Sequence, residues 1–223
     1  FLLAITFGFF FLSKLLQKKT GWVLLIPMLV AIAMLICFLQ FTGVSYETYS
    51  EAGSLVEFWL KPAVVALGVP LYLQLRMIKK QLMPILISQL AGCVVGLVSV
   101  TIIAKLMGAS PEVIMSLAPK SVTTPIAMEV SNAVGGIPSL TAAVVIVVGL
   151  FGAICGFKLL QVGRVASPIA QGLSMGTASH AVGTSRAMEV SGKYGAYASL
   201  GLTLNGILTA LLSPTILHIL GLY

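Results

Sequence analysis

The sequence predicts an all-α, polytopic membrane protein, and three observations carry that prediction. Of its 223 residues, 58% are hydrophobic and 9% are charged, against roughly a quarter charged in an ordinary soluble domain. The mean hydropathy is +1.07, and the apolar residues fall in runs near the length of about 20 residues that a membrane helix needs, enough for roughly seven or eight spanning or half-spanning segments. The charges, 13 Lys and Arg against 6 Asp and Glu, cluster between the runs. That is the pattern of loops obeying the positive-inside rule, so the +7 net charge points to a lipid bilayer and away from nucleic acid.

Residues 1–16 form the first run and lead to Lys14, Lys18 and Lys19. No basic region precedes the run and no small-residue cleavage site follows it, so it reads as a span and not as a signal peptide. With no initiator Met, the chain is expected to begin after the true N-terminus. Residues 22–41 form a second span. Residues 42–54 carry Glu47 and Glu51 without a basic residue and read as a loop on the face opposite the lysines. A third span, residues 55–75, contains Pro62 and Pro70 and ends at Arg76, Lys79 and Lys80; its prolines predict a kinked or broken helix. After a fourth span, residues 82–107, Ser110 is placed to cap a new helix with Pro111 at its first position. Trp22 and Trp59 read as belt residues, and Lys105 and His218 as interfacial.

The character of the chain then changes. Residues 111–136 gather Pro119, Lys120, Ser121, Thr123, Thr124, Pro125 and Glu129, too polar and interrupted for a lipid-facing helix. Irregular backbone at membrane depth survives only where protein or water surrounds it. A clean span follows at residues 137–157, then Lys158 and Arg164. A second interrupted segment, residues 167–192, holds Thr177, Ser179, His180, Thr184, Ser185, Arg186 and Glu189, and the last span is residues 196–220.

An offset of 60 residues aligns Ser121-Val-Thr-Thr-Pro-Ile-Ala-Met-Glu-Val-Ser131 with Ala181-Val-Gly-Thr-Ser-Arg-Ala-Met-Glu-Val-Ser191. The match extends to Gly135 with Gly195 and to Met115 with Met175, and it sets Lys120 on His180 and Thr124 on Thr184. Each unit is thus one broken polar segment followed by one clean span. A segment that dips in and returns adds no net crossing, whereas the clean span adds one, so the second unit must enter from the other face. This parity predicts inverted-topology repeats with broken, re-entrant helices at the midplane, a transporter-like architecture of which an elevator-type motion is one form. Residues 1–107 would supply scaffold spans, and residues 108–223 a core built from repeats at 108–157 and 167–223. Charge agrees: with the Lys14 loop cytoplasmic, Arg76, Lys79, Lys80, Lys158, Arg164 and Lys193 share its side, while Glu47, Glu51, Glu57 and Glu112 lie outside or at the outer edge. Lys61 and Lys105 are exceptions.

A charged side chain within a membrane segment marks a pathway by default, and Lys120 stands among hydroxyls and backbone freed by two prolines. The competing reading is a lysine snorkelling to the interface. His180 lies in a glycine-rich stretch and is either a second donor to a ligand or a hydrogen-bonded packing residue. Two half-helix N-termini with Lys120, His180 and the hydroxyls of Ser121, Thr123, Thr124, Ser179 and Thr184 would form a small anion site. Glu129 and Glu189 are repeat-equivalent, with Arg186 near Glu189; they are coupling carboxylates or charge balance for buried cations. Cys37, Cys93 and Cys155 lie in apolar runs and read as buried thiols, neither a disulfide framework nor a metal site. No Asp occurs, and two isolated histidines make no catalytic metal centre. Gly172-Leu-Ser-Met-Gly176 fits a nucleophile elbow in letters only, because the elbow needs a strand before it and a helix after it. Neither an enzyme nor a cofactor is expected.

The sequence resembles the LrgB/CidB/YohK family of bacterial membrane proteins over nearly its whole length, and most closely its CidB/YohK side. The resemblance rests on Gly43-Val-Ser-Tyr46, Lys61-Pro-Ala-Val-Val-Ala-Leu-Gly-Val-Pro-Leu-Tyr72, Pro119-Lys-Ser-Val-Thr-Thr-Pro-Ile-Ala127, Gly135-Gly-Ile-Pro138 and Gly172-Leu-Ser-Met-Gly-Thr-Ala-Ser-His-Ala-Val-Gly-Thr-Ser-Arg186. It implies a multi-pass protein of the bacterial inner membrane and two functions of different class. One is holin-like or antiholin-like control of murein hydrolase activity and autolysis, with a small LrgA/CidA-type membrane partner. The other is transport of pyruvate, glycolate or glycerate, as in members implicated in pyruvate uptake and a plastid relative. Paired polar breaks favour transport of a small carboxylate, and a homodimer is expected.

Overall fold

The computed structural model describes residues 1–21, 25, 27–59, 62, 72, 79 and 81–222. These fall into two compact units, Phe1–Ala63 and Val64–Tyr223, and no strand occurs among the described residues. The expected third span lies mostly outside them, with Pro70, Arg76 and Lys80, as does Trp22.

The first unit holds α1 (Leu2–Thr20), α2 (Pro27–Thr42) and α3 (Tyr46–Phe58). Lys18 and Lys19 occupy the last turn of α1, and Gly21 closes it at φ 65° with its N–H on the Gln17 carbonyl. Cations complement the negative end of a helix, and glycine takes the left-handed cap without steric cost. Phe9 meets Phe38 edge to face at 6.0 Å, joining α1 to α2. The loop expected over residues 42–54 is instead largely helical. The local reason is that the Ser45 hydroxyl accepts the Thr48 N–H at 3.2 Å, an N-cap, and Glu47 stands in the first turn. The Thr6 and Tyr49 hydroxyls, 3.0 Å apart, tie α3 to α1. Cys37, expected to be buried, is exposed on α2, whereas Cys93 is buried and Cys155 half-buried.

The second unit contains α4 (Leu82–Leu106), α5 (Pro111–Leu117), α6 (Thr124–Ala133), α7 (Pro138–Val162), α8 (Pro168–Val190) and α9 (Gly192–Ile219). By length and composition α4, α7 and α9 can each cross a membrane. Ser110 and Pro111 do open α5, but the Ser110 hydroxyl turns to Glu112 Oε2 at 3.3 Å and caps no N–H.

Both polar segments reverse direction. In a straight helix Ser116 and Ser131 would stand about 22 Å apart, yet the Ser116 carbonyl and the Ser131 hydroxyl lie 2.9 and 2.7 Å from the same Thr141 hydroxyl. The chain therefore folds back between α5 and α6, where Pro119 and Pro125 withhold backbone donors. Within α8 the fold-back is sharper. Ser179 (φ −129°, ψ 17°) and His180 (φ 42°, ψ −138°) leave helical geometry, and a Cβ on Gly183 would stand 2.7 Å from the Met175 carbonyl oxygen, although residues eight apart in a straight helix are separated by about 12 Å. The first arm of α8 then runs alongside α9, with Gly172 against the Tyr194 carbonyl and Gly201 against that of Leu173.

The two reversals occupy the same place in the 60-residue repeat, around Lys120 and at His180. Their packing recurs as well: Met115 shares a buried cluster with Val134, and half-buried Tyr194 packs against the cluster that holds Met175, pairs related by the same offset. The tip of the second fold-back presses into α7 where side chains are missing. A Cβ on Gly152 would coincide with the Ser179 hydroxyl, and one on Gly149 would come 2.5 Å from the His180 ring.

Candidate solute site

A cavity of about 670 Å³ lies between α4, the first arm of α8, the α5–α6 fold-back and α9. Lys120 and Ser121 line it at the fold-back, with the Lys120 ammonium 3.2 Å from the Ser121 hydroxyl. The only ion pair among the described residues is Arg186 with Glu189, at 2.7 Å. Lys120 thus faces the cavity as a half-buried cation with no carboxylate within ion-pair reach among them. A desolvated cation gains most from an anion that can hydrogen-bond to it.

The other residues expected to bind a ligand are placed differently. Thr123 precedes the first turn of α6 and Thr124 begins it; the Thr123 hydroxyl is buried without a partner. Ser179 and His180 are buried at the tip of the second fold-back, where His180 Nε2 is 2.8 Å from the Val145 carbonyl oxygen. The Thr184 hydroxyl donates to the His180 carbonyl at 2.8 Å. None of these five lines the cavity. Glu129 and Glu189 are exposed, Glu189 in its exposed pair with Arg186. No cluster of metal-ligating side chains occurs among the described residues.

Two cavity residues, Asn205 and Gln89, were not singled out by sequence patterns. Asn205, 2% exposed, donates Nδ2 to the Ser121 carbonyl at 3.2 Å and to the Thr177 carbonyl at 3.0 Å. Thr177 precedes the break in α8, so its carbonyl loses the helical donor four residues on, and the amide replaces it. Gln89 on α4 receives the Thr177 hydroxyl at 2.6 Å. The signal that could have found them is an isolated amide within an otherwise apolar run, since a polar side chain in a membrane helix turns toward protein or a water-filled cavity.

A family profile described as the LrgB-like family matches residues 6–219. The chain belongs to the LrgB-like family. Among its relatives, holin-like protein CidB of Staphylococcus epidermidis is 37% identical over 216 residues, covering 97% of this chain and 94% of that protein. Holin-like protein CidB of Staphylococcus aureus is 36% identical over the same shares. YxaC of Bacillus subtilis, named as uncharacterised, is 37% identical over 90% of this chain and 87% of its own length. No solved structure matches the chain. Membership in the LrgB-like family agrees with the apolar helices in making this a membrane protein, and the resemblance seen in the motifs is the family found.

Proposed function

We propose that this LrgB-like protein carries small monocarboxylates of the pyruvate, glycolate and glycerate class across the bacterial cytoplasmic membrane by alternating access. The observation that supports this reading is the Lys120 ammonium, unpaired among the described residues, in a cavity of about 670 Å³. That space admits a three-carbon acid together with water, and the cation offsets the loss of hydration of the carboxylate it holds. In this reading the two fold-backs are re-entrant and each repeat adds one crossing, which makes the repeats inverted. Residues 108–223 form the mobile core, α4 supplies the facing wall of the cavity, and the chain works as a homodimer.

The names of the relatives favour a second reading more directly than they favour transport. Both Staphylococcus relatives are called holin-like, and a holin-like or antiholin-like protein would act on murein hydrolase activity and autolysis, with a small membrane partner of the LrgA/CidA type. Purified protein in liposomes separates the readings. Saturable pyruvate or glycolate uptake with retention of entrapped dyes is expected for a transporter. Release of large dyes without saturation would establish the holin-like reading and remove the transport proposal.

A further inference from the structure

Gln89 is 2% exposed yet sits in the first third of α4, an otherwise apolar span, and borders the cavity. One end of its amide is held by the Thr177 hydroxyl, which lies 2.6 Å from Gln89 Oε1 and 2.7 Å from the Leu173 carbonyl. When the single hydroxyl hydrogen goes to Gln89, Thr177 holds Oε1; when it goes to Leu173, the amide must turn so that Nε2 donates to the Thr177 oxygen. With Oε1 engaged, Nε2 donates to no described residue, and Gln89 lines the cavity. A polar group in an apolar span is costly unless it is hydrogen-bonded, and a half-satisfied amide facing a cavity wants its second partner from what enters it.

We infer that Gln89 is a specificity-determining residue that reads the oxygen substituent on the carbon next to the substrate's carboxylate, while Lys120 holds the carboxylate itself. This rests on the monocarboxylate reading. The Gln89 amide, oriented by Thr177, favours 2-oxo and 2-hydroxy acids over unsubstituted acids of the same size. An unsubstituted acid leaves the amide end unpaired once water is expelled, and a site built around a polar contact discriminates against ligands lacking it more strongly than an apolar pocket does.

The test is competition in proteoliposomes: the concentrations of unlabelled glycolate and of acetate that halve labelled pyruvate uptake. For the unmodified protein glycolate is expected to compete at the lower concentration. Gln89→Leu keeps the volume and removes both polar ends, and is expected to narrow the glycolate-to-acetate ratio about tenfold. Thr177→Val, which frees the held end while Gln89 remains, is expected to narrow it in the same direction, so the inference stays testable if Gln89→Leu fails to fold. A ratio unchanged in both folded variants, or equal weakening of both acids, overturns the role of Gln89 while leaving transport standing. Absence of pyruvate uptake by the unmodified protein overturns the transport reading, and the inference falls with it.

Discussion

Asn205 and His180 brace the two fold-backs in related ways. Asn205 bonds the Ser121 carbonyl at 3.2 Å, and His180 bonds the Val145 carbonyl at 2.8 Å; Val145 and Asn205 are separated by the repeat offset of 60 residues, as are Lys120 and His180. Each break is therefore held by the clean helix of the other repeat. The chemistry is not duplicated. At the first break the clean helix gives a side-chain donor to freed backbone, and at the second the break gives a ring nitrogen to the helix.

Because His180 is buried on Val145, its loss should first be felt as instability. His180→Ala is expected to lower stability by about 1–3 kcal/mol, through a lost buried hydrogen bond and the void left beside α7. Thermal unfolding in detergent measures it. Unchanged melting together with lost uptake would return His180 to a ligand role.

Replacing Asn205 with Leu should leave the Ser121 and Thr177 carbonyls without their donor, at about 1–3 kcal/mol for the desolvated groups. Asn205→Asp should be worse, since a carboxylate would face two carbonyl oxygens. Denaturation midpoints compare the two, and equal stability of all three proteins would argue that the amide contributes nothing at the break.

The glycine face of α7 predicts sharp size limits. Gly152→Ala and Gly149→Ala should each destabilise by about 1–3 kcal/mol, because the added methyl meets the Ser179 hydroxyl or the His180 ring in a packed interface that relaxes only partly. Gly8→Ala in α1, with nothing within 4 Å of the new methyl, should be neutral or stabilising through helix propensity.

Lys120→Ala should abolish pyruvate or glycolate uptake in proteoliposomes without a loss of folding, since it removes the charge that compensates for desolvating an anion. Lys120→Arg should also transport poorly, because a planar, forked guanidinium directs its donors differently from a compact ammonium. Full uptake by the alanine variant would eliminate Lys120 as the anchor.

Inverted repeats require the loops flanking the first repeat to lie on opposite faces of the membrane. Single cysteines at Ser110 and Arg164, both exposed, should react with an impermeant thiol reagent from opposite sides. Labelling of both from one side would rule out the inversion.

Hydropathy, proline placement and an offset of 60 residues are local, one-dimensional properties, and they suffice to make this chain a helical membrane protein, to locate its polar breaks and to show that they repeat. The sequence also singled out Lys120 and Ser121, since charge and hydroxyls beside two prolines are visible in a string. Helix α3 escaped notice because a Ser45 cap and one acidic residue weigh little against a polar composition. Which polar groups meet is a matter of packing between distant segments. Gln89 and Asn205 lie on α4 and α9, 116 positions apart in the chain, and border one cavity only because the fold-back of α8 sets Thr177 against both. The same packing turned His180 away from that cavity and onto Val145, because Gly149 on α7 leaves room for its ring there.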